Sequence, residues 1–93
     1  MGKYLVILEQ EAQKDILSYK KAGNKVAIAR INRILQELEI HPEIGIGRPE
    51  KKRHNLFGYW SREIDKKNRM LYKIEENIIT VTVISALGHY DDK

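Results

Sequence analysis

Five apolar residues, Ala27, Ile31, Ile34, Leu35 and Leu38, fall at i, i+4, i+7, i+8 and i+11. That spacing makes one continuous stripe on a helix and no coherent face on a strand. A stripe of this kind must be buried, so the rest of the chain has to supply an apolar surface for it. Asn24 stands where a side chain can cap the first turn. Pro42 ends the pattern by biasing His41 away from helical backbone angles. Upstream, Glu9 to Lys21 carries Ala12, Ile16, Leu17 and Tyr19 near helical spacing, and Gly23 follows as a stop. Tyr4 to Leu8 is a short apolar run that reads as a buried strand.

Residues 43–58 hold three of the six glycines and one of the two prolines, which predicts an irregular loop. At about sixteen residues it is longer than most connections, and ordered loops of that length are usually functional or mobile. Strand-like alternation follows over Tyr59 to Ile64, a turn at Asp65-Lys66-Lys67-Asn68, and a second strand over Arg69 to Ile74. Glu75-Glu76-Asn77 closes a hairpin into the β-branched run Ile78 to Ser85. The expected architecture is α+β: four strands in the order β-α-α-β-β-β, a mainly antiparallel sheet, and both helices on one face.

Ninety-three residues predict a single domain spanning 1–93. The chain is 42% hydrophobic and 32% charged, which excludes a disordered or membrane-spanning class. No apolar run approaches the ~20 residues a bilayer crossing needs. Met1-Gly2-Lys3 opens neither a secretory signal nor a myristoylation motif, so a cytoplasmic location is expected. With no cysteine there is no thiol nucleophile, and His41, His54 and His89 lack metal-ligand spacing; neither metal nor cofactor is expected.

The charge is unevenly placed. From Arg48 to Lys73 nine residues are positive and three negative, a local balance of +6, while the whole chain is +4; the remainder therefore sums to −2. Such local basicity points to a polyanion bound at one site. Cleaving RNA without a metal requires a base for the ribose 2′-hydroxyl, a cationic clamp on the crowded phosphorus and an acid for the departing 5′-oxygen. Glu50, Arg69 and His89 supply those three chemistries. Each also has a plainer reading. Glu50 could belong to an exposed ion-pair cluster, Arg69 could blunt a sheet edge, and His89 with Tyr90 could be a frayed tail. Tyr59 and Trp60 fit core packing better than base stacking. Lys51-Lys52-Arg53-His54 is the least ambiguous group, a basic run on a glycine-flanked loop suited to phosphate.

Several words of this sequence occur together in a known family. Gly45-Ile46-Gly47-Arg48-Pro49-Glu50, His54-Asn55-Leu56, Gly58-Tyr59-Trp60-Ser61-Arg62, Ile64-Asp65, Arg69, Tyr72 and Gly88-His89-Tyr90 resemble the Txe/YoeB toxins. Those toxins belong to the RelE superfamily of type II toxin–antitoxin systems. The resemblance is specific over roughly the second half of the chain; residues 1–44 agree in pattern only. It implies a RelE-like fold and a ribosome-dependent messenger RNA endonuclease that cuts in the decoding site. It further implies a YefM/Phd-like antitoxin that covers the site, and dimer formation.

By position in that family, Glu50 matches the general base, Arg69 the transition-state arginine, His89 the general acid and Tyr90 the aromatic that helps place substrate. Arg53, His54 and Arg62 are implied as phosphate contacts. The expected products are a 2′,3′-cyclic phosphate, or its opened form, and a 5′-hydroxyl. Three positions depart from the family pattern: Glu63 and Leu87 stand where arginines are common, and Asp91-Asp92-Lys93 extends past the usual end. The competing expectation is a RelE-fold protein that blocks the ribosome or gyrase by binding alone, which would not require Glu50, Arg69 and His89 together.

Overall fold

The computed structural model describes residues 3–88. Strand β1 covers Leu5–Leu8, helix α1 Gln10–Lys21 and helix α2 Lys25–Leu38. Both helices match the sequence reading to within a residue or a few. Asn24 caps α2 as expected, its Oδ1 accepting the Ala27 amide at 3.1 Å. The α2 stripe buries Ala27, Ile31, Ile34 and Leu38 against Met70, Tyr72, Val81 and Val83 of the sheet. Each of the buried Ile, Leu, Val and Met side chains contributes about 1.5–3 kcal/mol of transfer free energy.

The sheet has five strands rather than the four expected. Strand β2 is only Glu50–Lys51, β3 is Trp60–Glu63, β4 is Arg69–Glu75 and β5 is Thr80–Ser85. Their spatial order is β1-β5-β4-β3-β2, with β1 parallel to β5 and the other pairs antiparallel. The additional strand lies inside the segment read as loop. Two residues are too few to show a period of two, and their pairing with Ser61 and Trp60 is a tertiary event.

A second correction concerns β1. It is an edge strand, not a buried one: Val6 and Leu8 are half-buried toward the core, while Leu5 and Ile7 are exposed. An apolar run alone does not tell a central strand from an edge. Across the sheet, Trp60, Arg62, Met70 and Tyr72 share the helix side through the pairs Trp60–Tyr72 and Arg62–Met70. Ser61 and Glu63 of β3 face the other way. Glu50 pairs with Ser61 and Arg69 with Glu63, so both candidate catalytic residues belong to the helix-free face.

Candidate active site

The site begins with a side chain that does not touch it. Arg62 is completely buried, and all five of its N–H donors are occupied. Nη1 donates to Glu37 Oε1 at 2.6 Å and to the Ile46 carbonyl at 3.3 Å. Nη2 donates to the carbonyls of His41 at 3.1 Å and Ile44 at 2.8 Å. Nε donates to the Tyr72 hydroxyl at 3.2 Å, which in turn donates to the Pro42 carbonyl at 2.8 Å. The expected phosphate role of Arg62 is therefore corrected. A guanidinium with every donor engaged inside the core has none left for RNA.

What this network holds is the loop entering β2. Glu37 Oε1 also accepts the Ile46 amide at 2.9 Å. A Cβ at Gly45 would lie 1.9 Å from Glu37 Oε1, and one at Gly47 would lie 2.9 Å from the Glu63 carbonyl, so only glycine lets the loop press this closely. The Glu63 amide donates to the Gly47 carbonyl at 2.6 Å. Burial works to raise the Glu37 carboxyl's pKa, but the Ile46 amide and the guanidinium groups of Arg62 and Arg33 outweigh it and hold it below the usual glutamate value.

Anchored in this way, the chain turns through Arg48 at φ +53° and Pro49 and delivers Glu50. A non-glycine residue in the left-handed region is a local strain found often at functional sites. Arg48, Pro49, Glu50 and Arg69 together line an open pocket of about 310 Å³. Two of the three expected catalytic residues, nineteen positions apart in sequence, thus share one cleft. Arg48 adds a second guanidinium that the sequence reading counted as charge without placing it in the site. Its position between Gly47 and Pro49 was the available signal. Beneath Glu50, Ser61 is fully buried, and its Oγ has no hydrogen-bond partner among the described residues.

His89 and Tyr90 lie outside the described residues, as do Asp91, Asp92 and Lys93. The residues leading to them are firmly held. The Arg69 amide donates to the Gly88 carbonyl at 2.9 Å, and the Gly88 amide donates to Asn68 Oδ1 at 3.0 Å. Farther back, the buried Asp15 carboxylate accepts the Ala86 amide at 3.0 Å, and the Tyr19 hydroxyl donates to the Ala86 carbonyl at 2.7 Å. Sequence reasoning assigned no role to Asp15. Its one legible sign was a carboxylate three residues after Ala12, on the buried stripe of α1.

The basic run divides into separate environments. Lys51 is exposed, with its Nζ 5.9 Å from the Trp60 ring centre. Lys52 is buried instead of solvent-facing, and its Nζ is 3.9 Å from Glu50 Oε1, so it meets the site through that carboxylate. This corrects its expected role as a direct phosphate contact, because a shielded ammonium cannot reach the nucleic-acid backbone. Arg53 and His54 are exposed at a 3-10 turn over His54–Leu56. Among the described residues, no group of three or more His, Cys, Asp or Glu side chains could hold a metal ion. No helix among them is long and apolar enough to cross a membrane.

Residues 8–90 match the model of the YoeB-like toxins of bacterial type II toxin-antitoxin systems. The chain belongs to that family. Within it, the chain is similar to Toxin YoeB of Mycobacterium bovis, 38% identical over 85 residues, covering 91% of this chain and 96% of that protein. The fold superposes on the YoeB dimer from Staphylococcus aureus with a TM-score of 0.80 at 27% identity, over 95% of this chain and 99% of that one. It also superposes on the toxin in the YoeB-YefM complex from Staphylococcus aureus with a TM-score of 0.77 at 29% identity and the same coverage. The two helices on a mixed sheet are thus the YoeB-like architecture, and the glycine-bearing loop, the Arg62 network and the Glu50–Arg69 pocket are how this member builds its open face.

Proposed function

We propose that this YoeB-like chain is a ribosome-dependent messenger RNA endonuclease that cuts the message in the A site and stops translation. The observation that carries the reading is the single pocket lined by Glu50, Arg69 and Arg48. In the proposed reaction Glu50 takes the proton of the ribose 2′-hydroxyl as that oxygen attacks phosphorus. Arg69, assisted by Arg48, offsets the negative charge gathering on the non-bridging oxygens; the planar fork of a guanidinium suits two such oxygens at once. His89 returns a proton to the leaving 5′-oxygen, giving a 2′,3′-cyclic phosphate and a 5′-hydroxyl. Tyr90 helps place the substrate. Every proton transferred is accounted for by these side chains, so the proposed chemistry needs no metal.

Support for His89 as the acid comes from covalent connection. It directly follows Gly88, whose carbonyl accepts the Arg69 amide. Lys51 and Arg53, exposed on the stretch that follows Glu50, supply cationic surface for phosphates, with the His54 ring next to Arg53 in the chain. The proposed partners are the ribosome with its message and a YefM-type antitoxin, on the strength of the likeness to the Staphylococcus aureus complex, with homodimer formation on the likeness to the dimer.

The test is brief induction in cells, followed by mapping of new 5′ ends on messages with and without translation. Ends spaced by reading frame, dependent on translation and lost in Glu50→Gln and His89→Gln variants that remain folded, are expected. If the growth arrest persists in both variants with no new ends, the chain blocks its target by binding and the nuclease reading is wrong.

A further inference from the structure

Where β2 turns back into β3 is a second concavity that the reaction does not use. It measures about 190 Å³ and is lined by Lys51, Lys52, Phe57, Gly58, Tyr59 and Trp60. Phe57 is 83% exposed and forms one wall of it. Tyr59 and Trp60 are half-buried, and Lys51 holds its ammonium 5.9 Å from the Trp60 ring centre. Three aromatic walls with a cation at the rim suit a flat, electron-rich, partly polar body.

From this arrangement we propose that the pocket is a stacking subsite for an unpaired nucleobase of the RNA, flanking the nucleotide that is cut. The proposal rests on the RNA-cleaving reading and adds where a neighbouring base goes. Two relations favour a nucleobase. Glu50 and Lys51 are consecutive residues of the edge strand β2 and so leave it on opposite sides. A strand of RNA crossing that edge would place its scissile linkage at Glu50 and a flanking base against Phe57 and Trp60. The exposed Arg53 and His54 stand at the turn that joins the two sides of this pocket, where phosphates beyond the stacked base would run. Proteins that hold single-stranded nucleic acid combine these two elements, aromatic platforms and a cationic track.

Trp60 is the sole tryptophan of the chain and lines the pocket, so its fluorescence reports occupancy directly. The probe is a short single-stranded oligoadenylate with 2′-deoxyriboses, which offers bases and phosphates but no 2′-hydroxyl and cannot be cut by this chemistry. Saturable quenching is expected. An abasic oligonucleotide of equal charge should not reproduce it. Phe57→Ala should weaken binding roughly 5- to 150-fold, the equivalent of one stacked base, and Phe57→Tyr should restore most of it. With Phe57 so exposed, neither change should alter the melting temperature.

Equal quenching by intact and abasic probes would show a purely electrostatic contact and overturn the proposal. So would unchanged oligonucleotide affinity in Phe57→Ala, including the case where that variant instead loosens its antitoxin. Because the probe cannot be cleaved, this measurement is independent of the cleavage test. A chain that binds through Phe57 but never cuts RNA would refute the nuclease reading alone.

Discussion

Asp15 and Ala86 are 71 positions apart, yet the Asp15 carboxylate accepts the Ala86 amide at 3.0 Å in the core. The Tyr19 hydroxyl donates to the carbonyl of the same residue, so α1 grips both backbone polar groups of one residue just past the end of β5. The chain continues only to Gly88 before reaching His89. Asp15→Ala leaves a buried amide without its acceptor, which costs about 1–3 kcal/mol. The expected result is a lower urea midpoint, together with slower cleavage at temperatures where the variant is fully folded. Tyr19→Phe should be milder, and the two effects should not add, since both act on the backbone of one residue. A folded Asp15→Ala variant that cleaves at the normal rate would show that this grip does not position the chain end.

Arg62 is predicted to matter through folding and not through RNA affinity. Removing one partner of a buried ion pair costs about 3–5 kcal/mol because the other charge remains buried. Arg62→Met should therefore unfold the chain or sharply lower its denaturation midpoint, and Glu37→Gln should do so less severely because the glutamine carbonyl can still accept. Chemical denaturation of both variants checks this. A stable Arg62→Met protein with weakened RNA binding would return Arg62 to the nucleic-acid surface.

Acid should destabilise the fold through Glu37 and Asp65. Burial works to raise both carboxyl pKa values, but hydrogen bonds from Ile46 and Arg62 to Glu37, and from Lys67 and Asn68 to Asp65, hold both below their ordinary values. A group depressed in the folded state stabilises above its unfolded pKa, about 4 for these residues, and that stabilisation is lost as pH falls through the folded value. Denaturation midpoints should be flat near neutrality and decline below about pH 4 to 5. Glu37→Gln should flatten part of that decline. An identical acid profile in the variant would exclude Glu37 as its source.

Glu50 and Arg69 should show the opposite pattern to Arg62. Glu50 is exposed but faces the buried Lys52 ammonium at 3.9 Å, so Glu50→Gln should lower the melting temperature only modestly while cleavage falls by roughly 10²- to 10⁴-fold. Arg69→Ala should slow cleavage by about 10²- to 10³-fold, the range for losing one charge-stabilising donor. Single-turnover rates on programmed ribosomes make the comparison. Normal rates in either variant would remove that residue from the reaction.

Among the cations, Lys51→Ala and Arg53→Ala should each reduce the salt dependence of single-stranded RNA binding by about 0.7 in the slope of log K against log salt, the expectation for one lost phosphate contact. Lys52→Met should leave that slope unchanged, because its ammonium is shielded from solvent and meets Glu50. Affinity measured from low to moderate salt separates them. A slope that falls equally in all three variants would mean that burial does not govern which lysines meet phosphate.

The sequence by itself determined the two helices, the three strands after the loop and the residue types gathered between Gly45 and Gly88. Those features are written in short-range periodicity and in residue type, both of which survive without knowing what lies across the fold. Tertiary structure alone decided the rest. The pairing of Glu50 and Lys51 with β3, the edge position of β1 and the grip of Asp15 on Ala86 all join residues distant in sequence. Burial, likewise, is not a property of an arginine but of its surroundings. Arg62 and Arg69 are the same residue seven positions apart, yet one is enclosed with Glu37 and four other acceptors while the other opens onto the Glu50 pocket. Which face of a twisted strand each one meets is set by what packs against it, and no local pattern carries that.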